Sequence, residues 1–311
     1  MLPNPFTADL IARILGLHSI TVVDVGARFG AETAWWRLHP LAKLVGFEPA
    51  MDECERLRSS VGEGRQEQYI PIGLGKMAGV SRLFRTVEPG CSSIYRSRAD
   101  LIERYPILSC MKVVAEEEIE VTTLDAWADA TGTTDIRFIK LDTQGSELDI
   151  LQGAERVLAD CVGVEVEVEF SPMYAGMPVF ADVDRYLRAQ GFCLWRVNDL
   201  CHYAETTSQA KTCYERAYYG GIDTLTAAGN GRLFWGNAVY FRDYAEFASS
   251  VEGVRRLLVL ACLLGARGDL SGAVSCVRRV LDWHSPGLSG ESVDDLRTAA
   301  GTLLQQIVGA T

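Results

Sequence analysis

Four things are scarce in this chain, and each scarcity narrows what the chain can be. The nine cysteines, at 54, 91, 110, 161, 193, 201, 213, 262 and 276, form no CxxC pair and no zinc spacing, and their odd number does not suit a disulfide framework. They read as reduced thiols of a cytoplasmic protein. Basic residues are outnumbered, 30 Lys and Arg against 41 Asp and Glu, for a formal charge of -11, and no cluster of them could neutralise a phosphate backbone. Nucleic acid is therefore not the expected partner. The apolar run at residues 257–264 is far below the roughly 20 residues that cross a bilayer, and residues 1–18 carry Asp9 and Arg13 inside their apolar stretch. Neither a membrane span nor a signal peptide is expected. Internal repeats and low-complexity segments are absent too, which excludes a solenoid.

What remains is an ordinary globular composition. Hydrophobic residues make up 48% and charged residues 23% of 311, enough to build a core and too apolar for general disorder. That length predicts one large domain, or a domain of about 200–250 residues with an appendage. Apolar spacing gives a leading helix within residues 1–18. Strand-like runs then follow at 20–25, 43–47, 69–72, 80–86, 119–123, 136–141, 162–170, 192–197 and 238–241. Several are continuous apolar runs separated by helical patterns, as in a mostly parallel sheet covered on both faces. Ser146, with Asp149 three places on, reads as a capping-box start for one such helix. Two stretches break the alternation. Residues 198–236, with His202, Tyr203, Tyr214, Tyr218, Tyr219 and glycines at 220 and 221, are long and polar enough to be a lid. Residues 246–311 lose all strand signal and read as a helical extension, a separate cap or a contact for a homo-oligomer.

The chemistry concentrates after the first strand. Thr21 to Gly30 reads TVVDVGARFG, an acid at a strand end followed by glycines four apart. Gly26 and Gly30 let the main chain turn and approach a ligand, and the amides of a following helix can receive an anion. A dinucleotide fold would need G-x-G-x-x-G, and here alanine and arginine separate the two glycines, so a dehydrogenase reading fails. The D-x-G-x-x-x-G form suits S-adenosylmethionine, with Asp24 holding its ammonium directly or through water. Glu48 closes the second strand in GFEP and is expected at the ribose hydroxyls.

With these segments on view the chain resembles the FkbM-type methyltransferases. The likeness rests on VVDVGARFG, GFEP, VTTLDAW at 121–127, FIKLDTQGSELDILQGA at 138–154, EVEFSPMY at 167–174 and GFCLWRV, spanning residues 19–243. It implies an α/β, Rossmann-like class I methyltransferase sheet, mostly parallel and doubly wound, over residues 19–245 with a C-terminal helical appendage. It also implies S-adenosylmethionine as cofactor, held by Asp24, Gly26, Arg28, Gly30, Glu48 and Asp125. The family carries Asn where this chain has Arg28, which can meet the cofactor carboxylate or fill its space. The implied acceptor is a small molecule or saccharide bearing a hydroxyl, as on a sugar, glycan or natural product.

A sulfonium already activates its methyl group, so the enzyme must align an acceptor oxygen and take its proton. Asp142 at the end of the 136–141 strand is the first candidate. Glu169, ending the next strand, and His202, whose ordinary pKa suits transfer near neutrality, are the others. A Mg²⁺ between Asp142 and Glu169 is compatible with carboxylate donors, although no spacing demands one. Plainer roles stand beside these. Asp142 can cap a helix, Asp125 can cap the helix at DAWADAT, and the glutamates of 164–169 can be strand alternation with one paired or solvated. Ser92 and Ser93 can touch substrate or simply lie in a loop. Trp35 and Trp36 can pack the first helix, and His18, His39 and His284 read as surface or packing residues. Two other functions stay open: transfer to nitrogen, and a non-catalytic binding or scaffold protein with Arg28 blocking the pocket.

Overall fold

A computed structural model of the chain describes residues 20–30, 32, 35, 38, 42–203, 205, 231–243, 247, 250–282, 297–298 and 300–305. The expected leading helix, Trp36, His18, His39, His284 and the middle of the expected lid, 206–230, lie outside the described residues.

The strands of the main sheet are β1 (Ile20–Val25), β2 (Ala42–Phe47), β3 (Gln66–Ile70), β7 (Ile136–Leu141), β8 (Gly163–Glu169), β9 (Phe192–Tyr203) and β10 (Arg232–Arg242). They lie in the order β3-β2-β1-β7-β8-β10-β9. Neighbours from β3 through β8 run parallel, and β10 is antiparallel to both β8 and β9. The chain order reverses between β1 and β7, so a crevice forms where their carboxyl ends part, the usual ligand position of an open α/β sheet. A second sheet, β4 (Gly73–Leu74), β6 (Val113–Thr122) and β5 (Gly79–Thr86), is inserted after β3. Strands at 80–86 and 119–123 were expected, but as part of the main sheet, and β4 was not expected at all. They form a separate roof because β5 and β6 pair with each other in antiparallel register.

Both faces of the parallel strands are buried, so their side chains divide by alternation into two cores. One holds Val23, Val25, Val45, Ile139, Val164 and Val166. Helices α3 (Leu124–Thr131), α4 (Glu147–Gln152), α5 (Glu155–Asp160) and α6 (Phe180–Ala189) contribute to it. The opposite core holds Ile20, Val22, Leu44, Phe138 and Val239 together with α7 (Val251–Ala266) and α8 (Leu270–Leu281). This corrects the expectation of a separate C-terminal cap. A helix apolar all round must be buried, and α7, which contains the 257–264 run, buries residues on every side. Its apolar surface is thus occupied by the sheet, which removes the reason for assigning it to a subunit contact. The hairpin is fastened by caps and cross-links: Ser250 accepts from the Gly253 amide, Asp269 from the Gly272 amide, and the second Asp269 oxygen from Trp195 Nε1 at 2.8 Å. No helix among the described residues is long and apolar enough to cross a membrane.

The expected lid is corrected at its edges. Residues 198–203 and 232–236 continue β9 and β10, with Arg232 opposite Tyr203 and Leu233 opposite His202. A third apolar cluster, which holds Cys201, Tyr203 and Phe234, supports these ends. The Ser146 cap is corrected as well: its hydroxyl bonds the Thr143 side chain at 2.8 Å, while the Glu147 carboxylate takes the Thr143 and Gly145 amides.

Candidate functional site

An open cleft of about 810 Å³ lies at the carboxyl ends of β1, β2 and β7. Its floor is built from main chain. Gly26 and Ala27 donate their amides to the Phe47 carbonyl at 3.0 and 3.2 Å, which bends the chain sharply at the end of β1. Gly26 adopts φ +79°, and a Cβ there would lie 1.9 Å from the Asp142 carbonyl oxygen. Only glycine fits. Gly30, also at φ +79°, closes the following turn through a 2.8 Å bond to the Ala27 carbonyl. It shapes the loop without lining the cleft.

Glu48 lines the cleft at the end of β2. One of its oxygens accepts from the Ala50 amide at 2.9 Å, at the start of helix α1 (Met51–Ser59), which leaves the other for a ligand. Burial pushes its carboxyl up, and the Ala50 amide and the charges of Arg28 and Arg85 pull it back. Arg28 also lines the cleft. Apolar walls come from Phe47, Ile72 and Leu74 on one side and from Leu83 and Ile119 of the small sheet on the other. The short turn Pro89–Cys91 and the loop after it close the top, bringing Ser92 and Ser93 to the lining.

Asp142 faces this cleft from β7. Its neighbour Gln144 is held at φ +60°, a left-handed conformation that costs a non-glycine residue about 1–3 kcal/mol unless its surroundings enforce it. They do. Ser93 donates to its carbonyl at 2.7 Å, Tyr174 to its side-chain oxygen at 2.8 Å, and its amide nitrogen donates to Asp142 at 3.1 Å and Glu167 at 2.5 Å. Glu147, fully withdrawn from solvent, is pushed up to about 7 by burial in spite of its bonds to the 143–145 loop, and Asp142 adds to the rise. Burial also drives Glu167 and Glu169 well above the carboxylate range, with neighbouring acids reinforcing it.

The other expected site residues lie elsewhere. Asp24 is buried outside the cleft lining, 3.3 Å from the Lys140 ammonium. It shares the face of Ile20 and Val22 but lies one layer below the strand end, where Gly26 and Asp142 open onto the cleft. Asp125 accepts from the amides of Arg156 and Val157, both at 2.9 Å. It caps α5 rather than its own helix, whose cap is Thr123. Glu169 is buried beyond the cleft lining, with one oxygen unpartnered among the described residues. His202 sits within β9 rather than in a lid, and its buried Nδ1 likewise has no partner among the described residues. Trp35 is a core residue, its ring 4.8 Å from that of Phe138. Among the described residues no group of three or more His, Cys, Asp or Glu is arranged to hold a metal ion, so the Mg²⁺ that the sequence allowed between Asp142 and Glu169 has no support.

Sequence reasoning missed Lys140, Gln144, Arg85 and the roof. A lysine inside the apolar β7 was the signal for Lys140, since such a charge needs a buried partner. Gln144 gave none, because residue type alone favours glycine or asparagine at positive φ.

The profile of the methyltransferase FkbM domain matches residues 24–194, more than half of the chain, from the end of β1 into β9. The chain belongs to the FkbM methyltransferase family. Two relatives agree. Methyltransferase 1 of the fungus Beauveria bassiana is 24% identical over 198 residues, covering 58% of this chain and 78% of the relative. The 2-O-methyltransferase NoeI of Sinorhizobium fredii is 22% identical over 179 residues, covering 56% and 74%. Among solved structures, an rRNA methylase from Streptococcus thermophilus is 13% identical, covering 76% of this chain and 93% of its own, with TM-score 0.35. M. capricolum TrmK with S-adenosylhomocysteine is 7% identical at 98% coverage of both, also with TM-score 0.35. These scores are too low to argue from. The FkbM domain's own strand order, parallel but for β10, is the Rossmann-like class I sheet expected from the sequence.

Proposed function

We propose that this FkbM methyltransferase uses S-adenosylmethionine to methylate a hydroxyl oxygen on a sugar, glycan or natural-product-like acceptor. The observation that carries the reading is the convergence of Gly26, Glu48 and Asp142 on one cleft at the switch point of the sheet. The cofactor fits the residues present: a main-chain cradle where a side chain is forbidden, a carboxylate with an unused oxygen for ribose hydroxyls, and apolar walls for a base. Gly26 and Arg28 would hold the amino acid end, Glu48 the ribose, and Ile72 and Leu74 the adenine. When bound, the cofactor supplies an electrophilic methyl: the acceptor oxygen bonds to it as the S–C bond breaks, S-adenosylhomocysteine leaves, and the hydroxyl proton goes to a base.

Asp142 suits the role of base. It faces the cleft and is oriented by Gln144, whose own position is enforced by Ser93 and Tyr174. Glu167 and Glu169 suit it less, because neither lines the cleft, and burial and neighbouring acids raise both well above the carboxylate range. The similarity to NoeI, a 2-O-methyltransferase, supports oxygen as the target. A net charge of -11 and the acids around Asp142 oppose a polyanionic acceptor such as RNA. The absence of disulfides among eight described cysteines supports a reducing compartment such as the cytoplasm.

Transfer of labelled methyl from S-adenosylmethionine to a panel of glycosides, phenols and amines tests the proposal. Product on oxygen acceptors that disappears in Asp142→Asn, with cofactor affinity retained, supports it. Activity confined to amines and surviving that change would favour nitrogen transfer, which needs less help from a base.

A further inference from the structure

Two cysteines meet at the turn that closes the top of the cleft. That turn, Pro89–Cys91, lies against a second short turn, Pro106–Met111. Main-chain bonds fix one on the other: the Glu88 amide donates to the Cys110 carbonyl at 2.9 Å, and the Cys91 amide donates to the Glu88 carbonyl at 2.9 Å. The thiols of Cys91 and Cys110 are thereby in contact, the first donating to the second. Both line an open pocket beside the turn, both are half-buried, and neither is bridged.

A second pair of neighbours shows what is special here. Cys262 on α7 and Cys276 on α8 lie in the core, where burial pushes both thiols up to about 12. Such thiols are inert. Cys110 differs, because the bond from Cys91 lowers it, helped by the amides of Cys110 and Met111 and opposed by burial and Glu88. A lowered, accessible thiol with a second thiol beside it is the arrangement of a redox-sensitive cysteine.

We propose that Cys91 and Cys110 form a reversible dithiol–disulfide site on the wall of the cleft, Cys110 reacting first with hydrogen peroxide and Cys91 closing the bridge. The Cys110 thiolate attacks one peroxide oxygen, the O–O bond breaks, and the hydroxide that leaves takes up a proton. The Cys91 sulfur then attacks the sulfenic acid, the S–O bond breaks, and a second water leaves with the Cys91 proton. Two thiols are oxidised to one disulfide, and the peroxide is reduced to two waters.

The consequence rests on the methyltransferase reading of the cleft. Pro89, Gly90, Ser92 and Ser93, on either side of Cys91, line it. The Cys91 carbonyl, at 2.9 Å, shares the Tyr174 hydroxyl with the side-chain oxygen of Gln144, at 2.8 Å, and Gln144 lines the cleft too. A covalent bond holds two sulfurs far closer than thiol contact does. Bridging must therefore shift Cys91, and with it this wall and the clamp on Gln144. The cofactor should bind about tenfold more weakly to the bridged protein, the equivalent of roughly one hydrogen bond.

The test uses the full chain. Calorimetric titration of the reduced protein with S-adenosylhomocysteine comes first; no binding overturns the cofactor reading, and the proposed switch with it. Limited hydrogen peroxide, alkylation and peptide mapping by mass spectrometry then locate the oxidised cysteines, and the titration is repeated. The expected result is a Cys91–Cys110 bridge formed ahead of oxidation at any other cysteine, weakened S-adenosylhomocysteine binding, and recovery of both with dithiothreitol. Cys91→Ser should bind S-adenosylhomocysteine like the parent, before and after peroxide, and should let dimedone trap a sulfenic acid on Cys110. Cys110→Ser should leave Cys91 unmodified. Alanine replaces serine in either variant that does not fold. In a protein that binds S-adenosylhomocysteine, three results would each overturn the switch alone: no bridge, a bridge that leaves affinity unchanged, or trapping on Cys91 in Cys110→Ser.

Discussion

Two charged layers lie on one face of the sheet, two residues apart along the same strands, and they are built on opposite rules. In the lower layer every charge has a partner. Asp24, Lys140 and Glu165 stand side by side on β1, β7 and β8. Arg267, at the end of α7, pairs with Glu165 and with Glu32 at 3.1 Å, and its guanidinium lies over the rings of Trp35 and Phe138. Burial alone would lower Lys140, but Asp24, Asp142, Glu32 and Glu165 outweigh it and keep it protonated. In the upper layer Asp142, Glu147, Glu167 and Glu169 crowd together, and neighbouring acids add to the rise that burial gives Glu147, Glu167 and Glu169. Balanced buried charge fastens the C-terminal hairpin to the sheet. Buried acids without a cation are costly, and one of them, Asp142, faces the cleft.

The comparison breaks most sharply if the layers exchange phenotypes. Asp142→Asn, in the upper layer, should cut turnover by about 10²–10⁴-fold, the usual contribution of a positioned base, while leaving thermal stability and S-adenosylhomocysteine affinity nearly unchanged. Parallel methyl-transfer assays and calorimetry would check it. Arg267→Ala, in the lower layer, should do the reverse. Removing one member of a buried pair strands its partners and costs about 3–5 kcal/mol, a fall in Tm of roughly 5–10 °C. Cofactor affinity of the molecules that remain folded should hold. An Arg267→Ala protein with unaltered Tm would mean that Glu165 sheds its charge on its own and that the lower layer is not a paired structure.

A middle-sized effect belongs to the cleft between them. Glu48→Gln keeps the bond to the Ala50 amide but loses the charge, so S-adenosylmethionine binding should weaken by about 1.5–3 kcal/mol, the range for a hydrogen bond to a charged group. Unchanged affinity by titration would remove Glu48 from the ribose site. Gly26→Ala is a blunter instrument, because its Cβ would collide with the Asp142 carbonyl.

How much of this was legible in the sequence follows from what each feature depends on. The β-α-β start and the buried parallel strands were readable because hydrophobic runs and glycine signals are local. The cleft residues Gly26, Arg28, Glu48 and Asp142 were readable for the same reason, each lying at or just beyond a strand end. Asp24 was misplaced by one layer along the strand, since the motif gives its position and not how far below the cleft floor it is buried. Asp125 was put on the wrong partner because the helix it caps begins 30 residues further on. The C-terminal hairpin was taken for a separate cap because its burial depends on the opposite strands, which periodicity cannot show. The roof over the cleft follows from long-range pairing of β5 with β6, and no local pattern separates such strands from those of the main sheet.

The smallest expected effect concerns pH, and its sign is unusual. Acids that ionise at about 4.3 in the unfolded chain but at about 7 when folded, as Glu147 does, bind more protons in the folded state between those values. Stability must then fall as pH rises through that window. Glu167 and Glu169 shift in the same direction. The lower layer shifts the same way, with burial raising Asp24 to about 6 and Glu165 to about 7 against the pull of Lys140 and Arg267. Tm should therefore be higher near pH 5.5 than near pH 8, and Glu167→Gln should flatten the slope while stabilising the protein slightly at pH 8. A Tm that climbs steadily from pH 5.5 to 8 would require the upper layer to be ionised and compensated, and the distinction between the two layers would be lost.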